Sequence, residues 1–453
     1  MKQFKFAVFW SSLAFLVGGA AAHAEEVKDR HVVVICVDGL PAYLLDDPNV
    51  PMPAIRGLAR AGVQAEGMVP ANPSVTWPNH SSMTTGCWPD RHGVLFNGVL
   101  ERPGPGLPVT VNPRKDQAEL IFAPTLYDVL HQRGFATAAI NWPCTRNCAT
   151  LDDNFPDVPE ALDHTTPRLI ESLKRAGVFT DDTIAGFGKL NVLARDVIWT
   201  QAACQVIREH KPHLTYLHLL NVDGTHHKYG PLTPAGSTAV AFADTCVREV
   251  LDAIEAAGIR EQTTIFIVSY HGFIAIPQTL QPNVLLRKAG LLTVEGTKVT
   301  SARVHTVPEG GIAMVYLTVP ESREQDRARV IELFEAQEGI AAVVTPDQFS
   351  KYGLPQPADY PQMADLVLSA KDGYGFSGSA TGDEFVVKSE ATLGTHGFLS
   401  NNERMQATFI ASGAGVRRGA RIGVIDNIDL APTIAQRFGV AFESAAGKVL
   451  KLD

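Results

Sequence analysis

Positive charge is in short supply in this sequence: 39 Lys and Arg residues stand against 48 Asp and Glu, a formal net charge of −9 over 453 residues. An acidic chain lacks the broad basic surface with which nucleic-acid-binding proteins neutralise phosphates. We therefore expect no binding to a nucleic-acid polymer. A phosphorylated ligand would have to be held by a local site.

Cysteine is also scarce, with six residues in the chain and no zinc-finger spacing among them. Cys36 lies inside an apolar run and is expected to be a buried free thiol. In an oxidising compartment two pairs are candidate disulfides, namely Cys144 with Cys148 and Cys204 with Cys246. Cysteine is not expected to carry the chemistry.

Long hydrophobic runs are confined to the N-terminus. Lys2 and Lys5 precede an apolar stretch over 6–22, and a small-residue site ends at Ala24. This order predicts a secretory signal peptide over 1–24, and the alternative is a retained membrane anchor. Serines and glycines interrupt the stretch, which favours cleavage. The mature chain is then secreted or periplasmic with no membrane span, and loss of two lysines takes its net charge to −11.

Apolar strands alternate with helical segments through most of the chain. The run Val32–Val37 predicts a buried strand, and helical and strand patterns then follow each other up to the strand predicted over 263–269. This alternation predicts an α/β fold with a mostly parallel central sheet and helices on both faces.

The pattern changes character between residues 277 and 390. This segment mixes short strands with a helix predicted over 324–336, and we interpret it as an inserted α+β segment that covers one edge of the sheet. The main α/β domain then comprises residues 25–276 and 391–453.

Three predicted strands end at polar residues, namely Asp38, Asp223 and His271. Ligands of open parallel sheets bind beyond the carboxyl ends of the strands, so these side chains are expected to form one site. His227 follows Asp223 by four residues, and His396 arrives in its own Thr-His-Gly segment. A carboxylate and two imidazoles suit zinc, which accepts both oxygen and nitrogen ligands.

A single hydroxyl, that of Thr76, precedes a predicted helix start at Trp77-Pro78. Proline suits the first position of a helix, because its fixed φ fits and its missing N–H would be unpaired there. The free N–H groups at such a start favour an anion such as phosphate. Thr76 is therefore a candidate nucleophile, and the alternative is a helix cap. Asn79 and His80 are expected to be hydrogen-bonded scaffold.

Four strings in this order resemble the alkaline phosphatase superfamily, and in particular its nucleotide pyrophosphatase/phosphodiesterase branch. They are Asp38-Gly39, Thr76-Trp77-Pro78-Asn79-His80, the segment from Asp223 to Pro231, and Thr395-His396-Gly397-Phe398. The similarity runs from about residue 31 to residue 440. It implies the α/β fold of that superfamily.

The resemblance also implies roles for individual residues. Two divalent metal ions, expected to be Zn2+, would be held by Asp223, His227 and His396 and by Asp38 and His271. Thr76 would attack phosphorus to give a phosphothreonine that water then hydrolyses, and Asn97 would donate a hydrogen bond to a phosphoryl oxygen.

One residue departs from the family pattern. The motif Ser-Asp-His-Gly is expected after the strand, and this chain has Ser269-Tyr270-His271-Gly272. A phenol, with a pKa of about 10, is a poorer ligand at neutral pH than a carboxylate of about 3.9. Tyr270 is thus an uncertain metal ligand, and we expect weaker metal occupancy on the Thr76 side.

The sequence therefore predicts an exported, metal-dependent hydrolase of phosphodiester or pyrophosphate bonds in small phosphorylated substrates, nucleotides included. One alternative keeps the metals but acts on a phosphonate, a phospholipid headgroup or a phosphomonoester. A second alternative, motivated by Tyr270, is a weakened relative that binds a phosphorylated ligand without turnover.

Overall fold

The computed structural model describes residues 29–453, so the predicted signal peptide lies outside the described residues. Within this range, the α/β class is confirmed: a central, mostly parallel sheet is flanked by helices. No described helix combines the length and apolar character needed to cross a bilayer.

The strands of the two larger sheets are, in chain order, β1 His31–Val37, β2 Val63–Ala65, β3 Thr137–Trp142, β4 Asp153–Pro156, β5 Leu214–Leu219, β6 Thr263–Val268, β7 Val304–Pro308, β8 Ile312–Leu317, β9 Ile340–Val344, β10 Leu366–Ala370, β11 Phe409–Gly413 and β12 Ala420–Ile422.

The described α-helices of seven or more residues are α1 Pro53–Ala61, α2 Thr76–Thr85, α3 Leu126–Gln132, α4 Pro167–Arg175, α5 Val192–Glu209, α6 Asn221–Tyr229, α7 Pro234–Ala256, α8 Pro282–Lys288, α9 Arg323–Glu335 and α10 Leu430–Arg437.

The central sheet has eight strands in the order β12-β2-β11-β6-β1-β5-β3-β4. Strand β1 lies between β5 and β6 and runs parallel to both, while β11 runs antiparallel to its two neighbours. All seven residues of β1 are buried, as expected for a strand covered on both faces. The polar residues that follow β1, β5 and β6 thus emerge side by side at one edge.

Strands β7 to β10 form a separate four-stranded antiparallel sheet in the order β7-β8-β10-β9. Helix α9 packs against it through Val330 and Phe334, which belong to an apolar cluster with side chains of the sheet. This second sheet lies in the segment predicted as an insertion, whose boundaries stay a prediction.

The local structure departs from the sequence-based expectations at three points. Asp223 was predicted at the end of a strand but lies within a helix, α6, which begins two residues after β5 ends. Pro78 is the third residue of α2 and not the first. The two candidate disulfides are absent, because all six cysteines are free and buried in the described chain.

A buried carboxylate fixes the start of α6. Asp196 of α5 accepts hydrogen bonds from the backbone N–H groups of Leu220 and Asn221, at 2.9 Å each. These N–H groups belong to the first turn of the helix and have no partner within it. The negative charge also lies at the positive end of the helix dipole. Asp196 therefore positions the helix that presents Asp223 and His227.

Candidate metal centre and nucleophile

Five predicted ligands come from four separate parts of the fold and meet at the carboxyl edge of the sheet. Asp38 follows β1, and His271 lies three residues beyond the end of β6. Asp223 and His227 are four residues apart and share one face of α6. His396 follows the short strand Gly394–Thr395.

Three of the histidines are oriented in the same way by backbone carbonyl groups. Nδ1 of His271 lies 3.1 Å from the carbonyl oxygen of Gly272. The matching distances are 3.0 Å from Nδ1 of His227 to the Gly394 oxygen and 2.9 Å from Nδ1 of His396 to the Ser74 oxygen. A carbonyl can only accept, so each Nδ1 must carry the proton when the ring is neutral. Each Nε2 then presents a lone pair, which is the arrangement of a metal-binding histidine.

The three Nε2 lone pairs converge on carboxylate oxygens. Oδ1 of Asp223 lies 3.4 Å from Nε2 of His227, 3.6 Å from that of His396 and 4.0 Å from that of His271. Oδ1 of Asp38 lies 3.3 Å from Nε2 of His271. Asp223, His271 and His396 each contribute one ligand atom to a group whose members lie within 4.8 Å of one another.

Several electron-rich atoms of this cluster are buried and lack a hydrogen-bond donor. Nε2 of His271 and the Oδ1 atoms of Asp38 and Asp223 are buried and have no hydrogen-bond partner. Burial raises the pKa of Asp38 to about 8 and lowers the pKa of His396 to about 4. Buried acceptors facing one another are unfavourable unless a proton or a cation lies between them, and the donor set fits divalent metal ions.

The cluster is closed on one side and open on the other. The side chains of His271 and Asp38 are 0% and 3% exposed, whereas those of Asp223 and His227 are 19% and 33% exposed. The two neutral rings of His271 and His396 stack between these sides, with their centroids 3.6 Å apart. A ligand can therefore approach from the Asp223 side.

Thr76 is the first residue of α2 and is partly exposed beside the cluster. Oδ1 of Asn97 accepts the backbone N–H of Trp77 at 2.9 Å, and Nδ2 of Asn97 lies 3.5 Å from Oγ1 of Thr76. The Trp77 N–H is already donated to Asn97, and Pro78 has no N–H. The start of α2 therefore has fewer free N–H groups for an anion than the sequence suggests. The exposed amide of Asn97 is the donor available to a phosphoryl oxygen.

Tyr270 lies between the nucleophile candidate and the closed side of the cluster. Its hydroxyl group donates to Oγ1 of Thr76 at 3.2 Å, and it also hydrogen-bonds to Asp38. The side chain is fully buried, and burial raises the pKa of the phenol well above its usual value. The phenol therefore stays protonated and lies between Thr76 and Asp38, and its single proton can be donated to only one of the two oxygens at a time.

The sequence did not single out His218, whose Nε2 lies 3.4 Å from Oδ2 of Asp38. His218 is part of the apolar strand β5, and only the pairing of β5 with β1 brings it to this position. His226 was set aside as a ligand in favour of His227. In the structure its Nδ1 lies 3.1 Å from the Gly39 carbonyl oxygen, and the residue is buried.

The fold is shared with solved structures of the alkaline phosphatase superfamily. Murine ectonucleotide pyrophosphatase/phosphodiesterase 5 superimposes with a TM-score of 0.67 at 16% identity, over 92% of this chain and 98% of that one. The human counterpart superimposes with a TM-score of 0.66 at 15% identity, over 94% of this chain and 97% of that one. A further structure of the murine protein is of an inactive variant in complex with AMP.

Residues 32–399 match the family described as type I phosphodiesterase / nucleotide pyrophosphatase, and the chain belongs to that family. Human ectonucleotide pyrophosphatase/phosphodiesterase family member 1 is 21% identical over 240 residues, which are 53% of this chain and 23% of that protein. A Caenorhabditis elegans relative is 22% identical over 404 residues, which are 88% of this chain and 45% of that protein. The chain thus spans less than half the length of these curated relatives.

A glycine beside Asp38 sets the position of Asp223. Gly39 has a φ of +67°, and a Cβ there would lie 2.9 Å from Cα and 3.2 Å from Cβ of Asp223. We expect Gly39→Ala to push Asp223 away from the histidines and to lower the metal content of the purified protein. We also expect it to reduce the free energy of unfolding in urea by about 1–3 kcal/mol through overpacking.

Gly258 provides a matched control, because its φ is +70° and a Cβ there would meet nothing within 4 Å. Gly258→Ala carries the same backbone strain without the contact and should keep the wild-type metal content. Equal effects of the two substitutions on stability and metal content would contradict the assigned role of Gly39.

Proposed function

We propose that this protein is an exported, metal-dependent hydrolase of phosphodiester or pyrophosphate bonds that works through a phosphothreonine on Thr76. One observation carries the proposal. Histidines whose Nδ1 atoms are hydrogen-bonded to backbone carbonyl oxygens turn their Nε2 lone pairs towards Asp38 and Asp223, and a partly exposed threonine lies beside them. Membership of the type I phosphodiesterase / nucleotide pyrophosphatase family supports it.

The metal would be held in two places. Asp223, His227 and His396 form the more exposed set, and Asp38 and His271 form the buried one. Carboxylate and imidazole ligands suit Zn2+. When bound, such ions neutralise charge on the attacking and leaving oxygens of phosphoryl transfer.

Nucleophilic attack and substrate orientation are assigned to residues of the chain. Oγ1 of Thr76 attacks phosphorus and expels an alcohol or phosphate group, and water then hydrolyses the phosphothreonine. Asn97 orients the substrate, since its amide group is held by the Trp77 N–H and faces the space beside Thr76. A donor placed at the developing charge in this way stabilises the transition state.

Tyr270 gives weight to the second candidate, a weakened relative that binds a phosphorylated ligand without turnover. A phenol that donates to Oγ1 of Thr76 draws electron density from the nucleophile. In addition, the position offers no carboxylate to a metal on the Thr76 side. We expect hydrolysis to occur, at a rate limited by Tyr270.

Two observations bear on the substrate class: the cluster is open on the Asp223 side, and a structural neighbour has been solved with a nucleotide. Murine ectonucleotide pyrophosphatase/phosphodiesterase 5 has been solved with AMP. We infer that small phosphorylated molecules, nucleotides included, are the substrates here. Phosphonates, phospholipid headgroups and phosphomonoesters are the competing esters for the same residues.

Three further predictions belong to this proposal. Export to the periplasm or the exterior depends on the signal peptide predicted over 1–24. Zinc as the metal depends on the ligand types. The inserted segment 277–390 is proposed to cover one edge of the main domain formed by residues 25–276 and 391–453.

Removal of the nucleophile tests the covalent step. We expect Thr76→Ala to lower kcat for bis-p-nitrophenyl phosphate by at least about 1,000-fold, because it removes the hydroxyl group that would form the intermediate. Thr76→Ser, which keeps a hydroxyl group, should retain measurable turnover. Both variants should keep the wild-type metal content by mass spectrometry, and retained turnover in Thr76→Ala would remove Thr76 as the nucleophile.

Restoring the carboxylate tests the role of Tyr270. We expect Tyr270→Asp to raise both zinc content and diesterase activity, since it adds a ligand next to Asp38 and removes the phenol from Thr76. The measurements are zinc per chain and turnover of bis-p-nitrophenyl phosphate, p-nitrophenyl phosphate and a dinucleotide, with the diesters preferred.

Tyr270→Phe is the matched control, because it removes only the hydroxyl group and adds no ligand. It should leave zinc content unchanged. A fully active wild type that becomes slower in Tyr270→Asp would show that Tyr270 is an adapted catalytic element. Inactivity of both proteins would refute the hydrolase and leave the binding protein.

A further inference from the structure

A second group of electron-rich side chains lies beneath helix α2, on one face of the central sheet. Cys36 of β1 and His218 of β5 are direct register partners in the parallel sheet. His80 of α2 lies over them, with its ring centroid 4.3 Å from that of His218. All three residues are 0% exposed, and their ligand atoms lie within 4.8 Å of one another.

The two imidazoles present lone pairs to this space. Nδ1 of His80 lies 2.9 Å from the Thr76 carbonyl oxygen, and Nδ1 of His218 lies 3.2 Å from the Asn141 carbonyl oxygen. Each Nδ1 therefore carries the proton of the neutral ring, and each Nε2 is a free acceptor. Both Nε2 atoms are buried and have no hydrogen-bond partner.

A carboxylate lies beside the group. Oδ2 of Asp38 lies 3.4 Å from Nε2 of His218, while Oδ1 of the same carboxylate faces His271. A carboxylate oxygen and an imidazole lone pair at this distance repel each other unless a cation or a proton lies between them. The group thus offers one sulfur and two nitrogens to a common point, with a carboxylate oxygen next to one of the nitrogens.

We propose that Cys36, His80 and His218 form a buried transition-metal site beside Asp38, with Zn2+ as the favoured ion. Zinc accepts sulfur and nitrogen ligands of these types, whereas calcium and magnesium prefer oxygen ligands. On binding, the Cys36 thiol ionises, its sulfur becomes a metal ligand, and its proton passes to solvent. The site is additional to the one proposed for hydrolysis, which contains no sulfur.

The surroundings indicate a structural ion. The ring of Trp142 packs against His80 with centroids 4.5 Å apart, and the ring of Tyr270 packs against it at 4.4 Å. An ion enclosed in this way would be taken up during folding and would tie α2, which begins at Thr76, to the sheet.

Zinc X-ray absorption of the purified holoprotein tests the proposal directly. We expect a sulfur shell at about 2.3 Å from zinc in the wild type. The shell should be lost in Cys36→Ser and retained in Cys204→Ser, a matched control because Cys204 is also buried but lies on α5 with its thiol donating to the Glu249 carbonyl oxygen. Zinc content should fall in both Cys36→Ser and His218→Gln.

A variant of the hydrolytic site separates the two proposals. Asp223→Asn should abolish hydrolysis but keep the sulfur shell, since Asp223 is not a ligand of the buried site. If Cys36→Ser does not fold, the wild-type and Asp223→Asn spectra still decide the question. Zinc-loaded wild type without a sulfur shell would overturn the proposal and indicate a proton shared by Asp38 and His218.

Discussion

The structure depends on one electrostatic constraint: carboxylate oxygens and imidazole lone pairs are held face to face at the carboxyl edge of the sheet. Asp38 and Asp223 are fixed by β1 and α6, and the histidines around them are turned by backbone carbonyl groups. None of these atoms can relax towards water on the closed side. Packing in the fold keeps these acceptors close together, and a divalent cation bound between them would relieve the repulsion.

Tyr270 changes how that constraint acts on Thr76. A carboxylate at this position would add a third negative group and strengthen metal binding. The phenol instead lies neutral between Thr76 and Asp38, with one proton to donate. The same ring packs on His80, which belongs to the sulfur-containing group under α2. A single carboxylate, that of Asp38, thus contacts His271 through one oxygen and His218 through the other.

The strand ends at Asp38 and His271 could be predicted because apolar runs and the residues after them are visible in the sequence. The start of α6 could not, since it depends on Asp196 of another helix accepting the N–H groups of Leu220 and Asn221. Likewise, His218 reads as part of an apolar strand until β5 is placed beside β1. The candidate site was therefore predicted where local motifs define it, and missed where only tertiary pairing does. The roles of its residues stay predictions.

The central claim is that bound divalent metal stabilises this fold by relieving repulsion between buried acceptors. The direct test is urea unfolding of the wild-type protein in a chelator and at increasing free zinc. We predict that the free energy of unfolding rises with zinc, by about 1.4 kcal/mol for each tenfold increase beyond the Kd of a single site. Equal stability in chelator and in excess zinc would contradict the account.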